Sequence, residues 1–79
     1  MNVQNATRLQ EIFLAVFELP AGADVTPLRQ LSTPTWDSLA HVSLVTAIES
    51  EFGISLDAAD QLRMTSYAAT VVLLEERAA

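Results

Sequence analysis

The sequence predicts an all-α fold: a four-helix bundle of three longer helices and one short third helix, with a long loop between helices 1 and 2. Apolar residues recur at helical spacing in stretches separated by proline and glycine. Capping residues stand at the starts of those stretches. No strand-type alternation or hairpin signal competes with them. The 79 residues are read as a single domain, 1–79, too short for two cores. Hydrophobic residues make up 51% of the chain, and there is no cysteine. Disulfides and thiolate metal sites are excluded, so the fold holds by packing.

The first helix is expected from about Val3 to Leu19. Leu9, Ile12, Phe13, Val16 and Phe17 give it one buried stripe, and Asn2 or Asn5 caps its start. The Pro20-Ala21-Gly22 run is read as its terminator. The segment from Pro20 to about Asp37 contains three prolines. A loop of that length in a small domain is expected to be ordered, pinned by Val25, Leu28 and Leu31. Trp36 reads as an apolar staple packed at the start of the next helix.

The second helix is expected over Ser38 to Phe52, stopped by Gly53. His41, Leu44, Val45, Ile48 and Phe52 share the side that faces the core. Leu39, Ser43, Thr46 and Ser50 form a nearly uncharged outer stripe. Asp57 with Asp60 three residues on reads as the cap of a short third helix. Thr65 or Ser66 then caps a last helix from Tyr67 to about Arg77, with Ala68, Val71, Val72 and Leu74 as its apolar positions.

Charge narrows the partners. Ten acidic residues face four basic ones, for a net charge of -6. Nucleic-acid binding needs a basic patch, and adsorption on an anionic membrane needs basic clusters; neither is present. Acidic chains are steered towards basic partner surfaces. No basic segment followed by an apolar run opens the chain, so the expected setting is cytoplasmic. The spacing of Glu49 and Glu51 sends them to different sides of a helix, which argues against a metal site.

The most informative run is Trp36-Asp37-Ser38-Leu39. Asp37 suits the N-cap, since its carboxylate can accept from first-turn amides. Ser38 is left at the first helical position with its hydroxyl free, at the positive end of the helix dipole. That run, with Val42, Leu44-Val45, Ile48-Glu49 and Glu51-Phe52-Gly53-Ile54, resembles the acyl carrier protein family. The family opens its second helix with Asp-Ser-Leu and continues with a comparable apolar and acidic pattern. The likeness covers most of the chain, from the first helix to the one opened by Thr65-Ser66.

The resemblance implies an acyl-carrier-like bundle and a carrier that is not itself an enzyme. Ser38, flanked by Asp37 and Leu39, would take a 4′-phosphopantetheine arm from coenzyme A through a phosphopantetheinyl transferase. The arm's thiol would hold acyl groups as thioesters and present them to acyl-loading and acyl-processing enzymes. Leu39, Val42, Ser43, Thr46 and Glu49 would form the docking face of a monomer. Val45, Ile48, Ile54, Leu62 and Met64 would line a shelter for the acyl chain. Positions that are acidic in fatty-acid carriers read here as Ala40, Ser43 and Ser50, and a Trp precedes Asp-Ser-Leu. Both departures resemble specialised carriers of dedicated pathways.

Two other readings stand beside the carrier. An unmodified helical interaction module would use the Leu39/Val42 patch to hold a partner helix. A nucleophile–base pair of Ser38 with His41 would need an orienting group, an oxyanion hole and a pocket, none of which the sequence displays. His41 is read instead as a partly buried residue whose ring bonds locally.

Overall fold

The computed structural model describes residues 1–78. Its elements are α1 (Val3–Val16), a 3₁₀ turn (Gln30–Ser32), α2 (Ser38–Phe52), α3 (Ala58–Arg63) and α4 (Tyr67–Ala78). The described residues form a small all-helical bundle in which α1 packs on α2 and α3 on α4. Among the described residues no helix is long and apolar enough to cross a membrane.

α1 starts where Asn2 accepts from the Asn5 amide, but it ends three residues earlier than the periodicity suggests. Phe17 closes it and Glu18 adopts a left-handed conformation (φ 54°). The Leu19 amide donates to the Leu14 carbonyl and the Glu18 amide to the Ala15 carbonyl. These are the two reverse bonds of a Schellman stop. The stop therefore precedes the Pro20-Ala21-Gly22 run, because the residue before a proline is already driven out of helical conformation. Glu18 occupies a position where glycine is the unstrained choice.

The connection from α1 to α2 is ordered throughout by short-range bonds. The Thr26 hydroxyl and amide both donate to the Asp24 carboxylate, and the hydroxyl above all holds that carboxyl below its ordinary range. The Leu28 amide closes a turn on Val25, and the Trp36 amide closes one on Thr33. Across the molecule the Gln30 amide donates to the Thr65 carbonyl (2.9 Å) and the Tyr67 amide to the Leu28 carbonyl (3.0 Å). This backbone seam at Arg29 and Ser66 pins the connection to the start of α4. Val25 is buried and Leu28 partly so, as expected of anchors, whereas Leu31 is fully exposed. The seam replaces Leu31 as the fastening.

Phe13 is the hub of the core. Its ring lies 5.8 Å from Phe17, 5.8 Å from Trp36 and 5.1 Å from Tyr67, the last two edge-on. Edge-to-face pairs of this kind contribute about 0.5–1.5 kcal/mol beyond their buried area. Leu9, Leu44, Val45, Ile48, Leu56, Met64, Leu73 and Leu74 are buried around it. In α4 the buried positions are Tyr67, Thr70, Leu73 and Leu74, while Ala68 and Val72 face solvent and Val71 is half-buried. Of the four apolar positions read for this helix, Ala68 and Val72 therefore lie outside the core. Ser66 Oγ accepts from the Ala69 amide and the Thr70 hydroxyl donates to the Ser66 carbonyl, so Ser66, not Thr65, caps this helix and Thr70 is buried without an unpaired group.

Two changes test this account. Glu18→Gly relieves the left-handed strain, expected to cost about 1–2 kcal/mol for a non-glycine residue, part of it regained as chain entropy. A urea melt should show a stabilisation of about 0.5–1 kcal/mol. Ile48→Ala should destabilise by about 2–5 kcal/mol in the same measurement.

Candidate functional site

Local capping builds the start of α2. Asp37 is extended (φ -92°, ψ -174°), and its Oδ1 accepts from the Ala40 amide at 2.8 Å. The His41 amide donates to the Asp37 carbonyl. Ser38 is the first helical residue; it is exposed, and its hydroxyl has no hydrogen-bond partner among the described residues. The amides of Ser38 and Leu39 precede the first intrahelical bond and stand unpaired by helix geometry. A free hydroxyl thus stands at the electropositive end of a 15-residue helix. At the far end Gly53 closes α2 in left-handed conformation (φ 65°), its amide donating to the Glu49 carbonyl.

Trp36 carries this geometry. It is only 3% exposed and lies against Phe13 and Phe17, which fixes where the chain enters α2. One turn into the helix, the His41 ring lies edge to edge with the indole, with centroids 6.2 Å apart and planes at 27°. The two residues hold the N′ and N4 places of a staple, here made of an indole and an imidazole. The Trp36 indole N–H donates to His41 Nδ1 (3.0 Å), and His41 Nε2 lies 2.9 Å from the Gln61 carbonyl. His41 therefore bonds locally to Trp36, as expected, and also to α3, which its sequence neighbours do not reveal.

On the outer side of α2, Leu39 is 75% and Val42 61% exposed. Ser43, Thr46 and Ser50 are exposed beside them. Glu49 departs from this face: it is half-buried, and its Oε2 accepts from the Leu56 amide at 2.8 Å. Its carboxylate braces the chain leading into α3.

Of the residues grouped as an acyl shelter, Val45, Ile48 and Met64 are buried in the core and Ile54 packs half-buried against it. Leu62 does not join them. It is 80% exposed, because the capping box of Asp57 and Asp60 sets the rotation of α3, and the inward face goes to Asp60 and Met64. A surface cleft of about 390 Å³ lies elsewhere, lined by Arg29, Gln30, Leu31, Thr65 and Ser66, and includes none of the five.

Two arginine ties escape sequence reading. Arg8 Nε donates to Glu51 Oε1 (2.8 Å), a second guanidinium nitrogen donates to the Glu51 carbonyl, and the guanidinium sits 4.7 Å above the Phe52 ring. This clamp binds α1 to the end of α2. The buried Asp60 carboxylate accepts from Arg77, fastening α3 to α4. The partners stand 43 and 17 residues apart on different helices, so spacing alone carries no signal for them.

Comparison with protein-family models gives no match, and no curated protein or solved structure matches the chain.

Removing the Asp37 cap by Asp37→Ala should cost about 0.5–2 kcal/mol, whereas Ser38→Ala should stay within about 0.5 kcal/mol of wild type. Leu62→Ala should likewise leave the urea midpoint nearly unchanged, since an exposed side chain leaves no cavity.

Proposed function

We propose that this chain is an acyl carrier protein in which Ser38 bears a 4′-phosphopantetheine arm. The observation that carries the reading is the exposed Ser38 hydroxyl, unpartnered at the first position of α2 while Asp37 performs the capping. A serine acting as its own helix cap would have that oxygen committed to an amide. Here it is open to a transferase, and the group it would receive is an anionic phosphodiester beside spare amides at a helix N-terminus. The neighbouring Asp37 carboxylate, bonded to the Ala40 amide, repels that phosphate and offsets part of the attraction of the helix end.

When attached, the arm supplies a thiol that holds acyl groups as thioesters. The protein's own part is to tether and present. A tethered intermediate meets a docked enzyme at an effective concentration on the order of millimolar. Leu39 and Val42, flanked by Ser43 and Thr46, form the apolar docking face next to the attachment point. With Glu49 drawn towards Leu56, that face relies on apolar contact more than on charge, which suits a specialised carrier. Val45, Ile48, Ile54 and Met64 are the interior residues an acyl chain would meet on entering the bundle. The carrier is proposed to act as a cytoplasmic monomer and to perform no chemistry itself.

One observation favours a second reading: α2 exposes Leu39 and Val42 whether or not Ser38 is modified, as an unmodified interaction module would. Intact mass separates the two. After incubation with coenzyme A and a promiscuous phosphopantetheinyl transferase, wild type should gain one phosphopantetheine and Ser38→Ala none. An unchanged wild-type mass, with a carrier control converted in parallel, overturns the carrier reading in favour of the module.

A further inference from the structure

We infer, resting on the carrier reading, that the group borne by Ser38 is a short or polar acyl group that stays in solvent, because a hydrogen-bonded polar seam between α2 and α3 closes the way into the bundle.

The inward stripe of α2 begins with a polar ring. His41, Val45 and Ile48 stand at i, i+4 and i+7 on one side of the helix, and His41 is the member nearest Ser38. A hydrocarbon turned inward beside Ser38 meets the imidazole before either aliphatic side chain. That ring is held on both edges. Its Nδ1 accepts from the buried Trp36 indole, and its Nε2 bonds to the Gln61 carbonyl on α3.

Two more bonds continue the seam. Near the end of α2 the Glu49 carboxylate accepts from the Leu56 amide (2.8 Å), ahead of α3. The Gln61 side-chain amide donates to the Leu56 carbonyl (3.0 Å), which links the two ties. A junction of this kind is satisfied only while it is closed. Parting it around a methylene chain would leave His41, Glu49 and Gln61 against hydrocarbon with their partners lost, which is costly for half-buried polar groups.

α3 offers a hydrocarbon no better reception. Leu62, an aliphatic side chain that could have lined an entrance, is exposed. The inward face carries Asp60 instead, its buried carboxylate accepting from the Asp57 amide and from Arg77. Behind the seam Val45, Ile48 and Met64 belong to the packed core, and a close-packed interior resists even one added methylene. A short acyl group, or one bearing hydroxyl or carboxyl groups, has little apolar surface to gain by forcing entry. Water serves it as well.

The test uses the full chain loaded at Ser38 from acetyl- or octanoyl-coenzyme A by a promiscuous phosphopantetheinyl transferase, with loading read as intact mass. The NMR methyl signals of Val45, Ile48, Ile54 and Met64 should coincide in the two loaded forms. Hydroxylamine should cleave the two thioesters in the same rate ratio as on free coenzyme A. An octanoyl group drawn inside would instead react about tenfold more slowly, in proportion to its exposed fraction. His41→Leu removes the first tie and substitutes an aliphatic side chain, so in that variant the octanoyl form should shift the core methyls. Core methyls that move with chain length in wild type, or a protected octanoyl thioester, would overturn the inference and leave the carrier reading standing. A folded His41→Leu protein that still excludes the octanoyl group would overturn the seam as the cause. The wild-type comparison decides the class of acyl group whether or not that variant folds. No mass gain from either coenzyme A thioester would overturn the carrier reading and this inference with it.

Discussion

Burial of Trp36 is the constraint on which the rest of the structure depends. The indole joins Phe13 and Phe17 of the first helix region, and it is the last residue before the Asp37 cap. A long connection would otherwise leave the start of α2 free to swing. With the indole seated, Asp37, Ser38 and Leu39 emerge at a set place on the surface. The exposed hydroxyl of Ser38 is thus a consequence of a buried aromatic two residues earlier. The indole N–H must still find a partner inside the protein, and it finds the imidazole one turn further along.

α2 is apolar on two sides. Leu44, Val45 and Ile48 fill the core, while Leu39 and Val42 face solvent. Exposed apolar side chains are common on protein surfaces, and Leu39 and Val42 are two of several here. They lie within a turn or so of Ser38. In the proposed function the same helix therefore performs two tasks with opposite faces: one anchors the bundle, the other receives the enzymes that act on the tethered group.

The acidity of the chain is managed by a few pairs. Arg8, Arg63 and Arg77 each meet a carboxylate. The Arg63–Glu76 pair is exposed; its hydrogen bonds hold the Glu76 carboxyl below its usual range and raise Arg63. Such a pair is present at neutral pH and is lost only as acid protonates Glu76, and salt screens it in between. Asp60 differs because it is buried, so the Arg77 pair is the one whose loss would strand a charge.

Helices with locally capped ends could be read from the order of residues alone. α2 runs from the Asp37 cap to Gly53, and α3 follows the Asp57–Asp60 box. Those signals act over three or four residues and need no knowledge of the fold. The free hydroxyl of Ser38 was legible for the same reason. Which faces turned inward depended on the packing of the whole chain. It put Thr70 and Leu73 on the core face of α4 and Ala68 and Val72 outside it, left Leu31 and Leu62 in solvent, and joined His41 to Gln61 and Arg8 to Glu51. Side-chain burial is a contest among partners distant in sequence. Short, weakly patterned helices can turn either face to the core, and the neighbours that settle the contest are set by the packing of the whole chain.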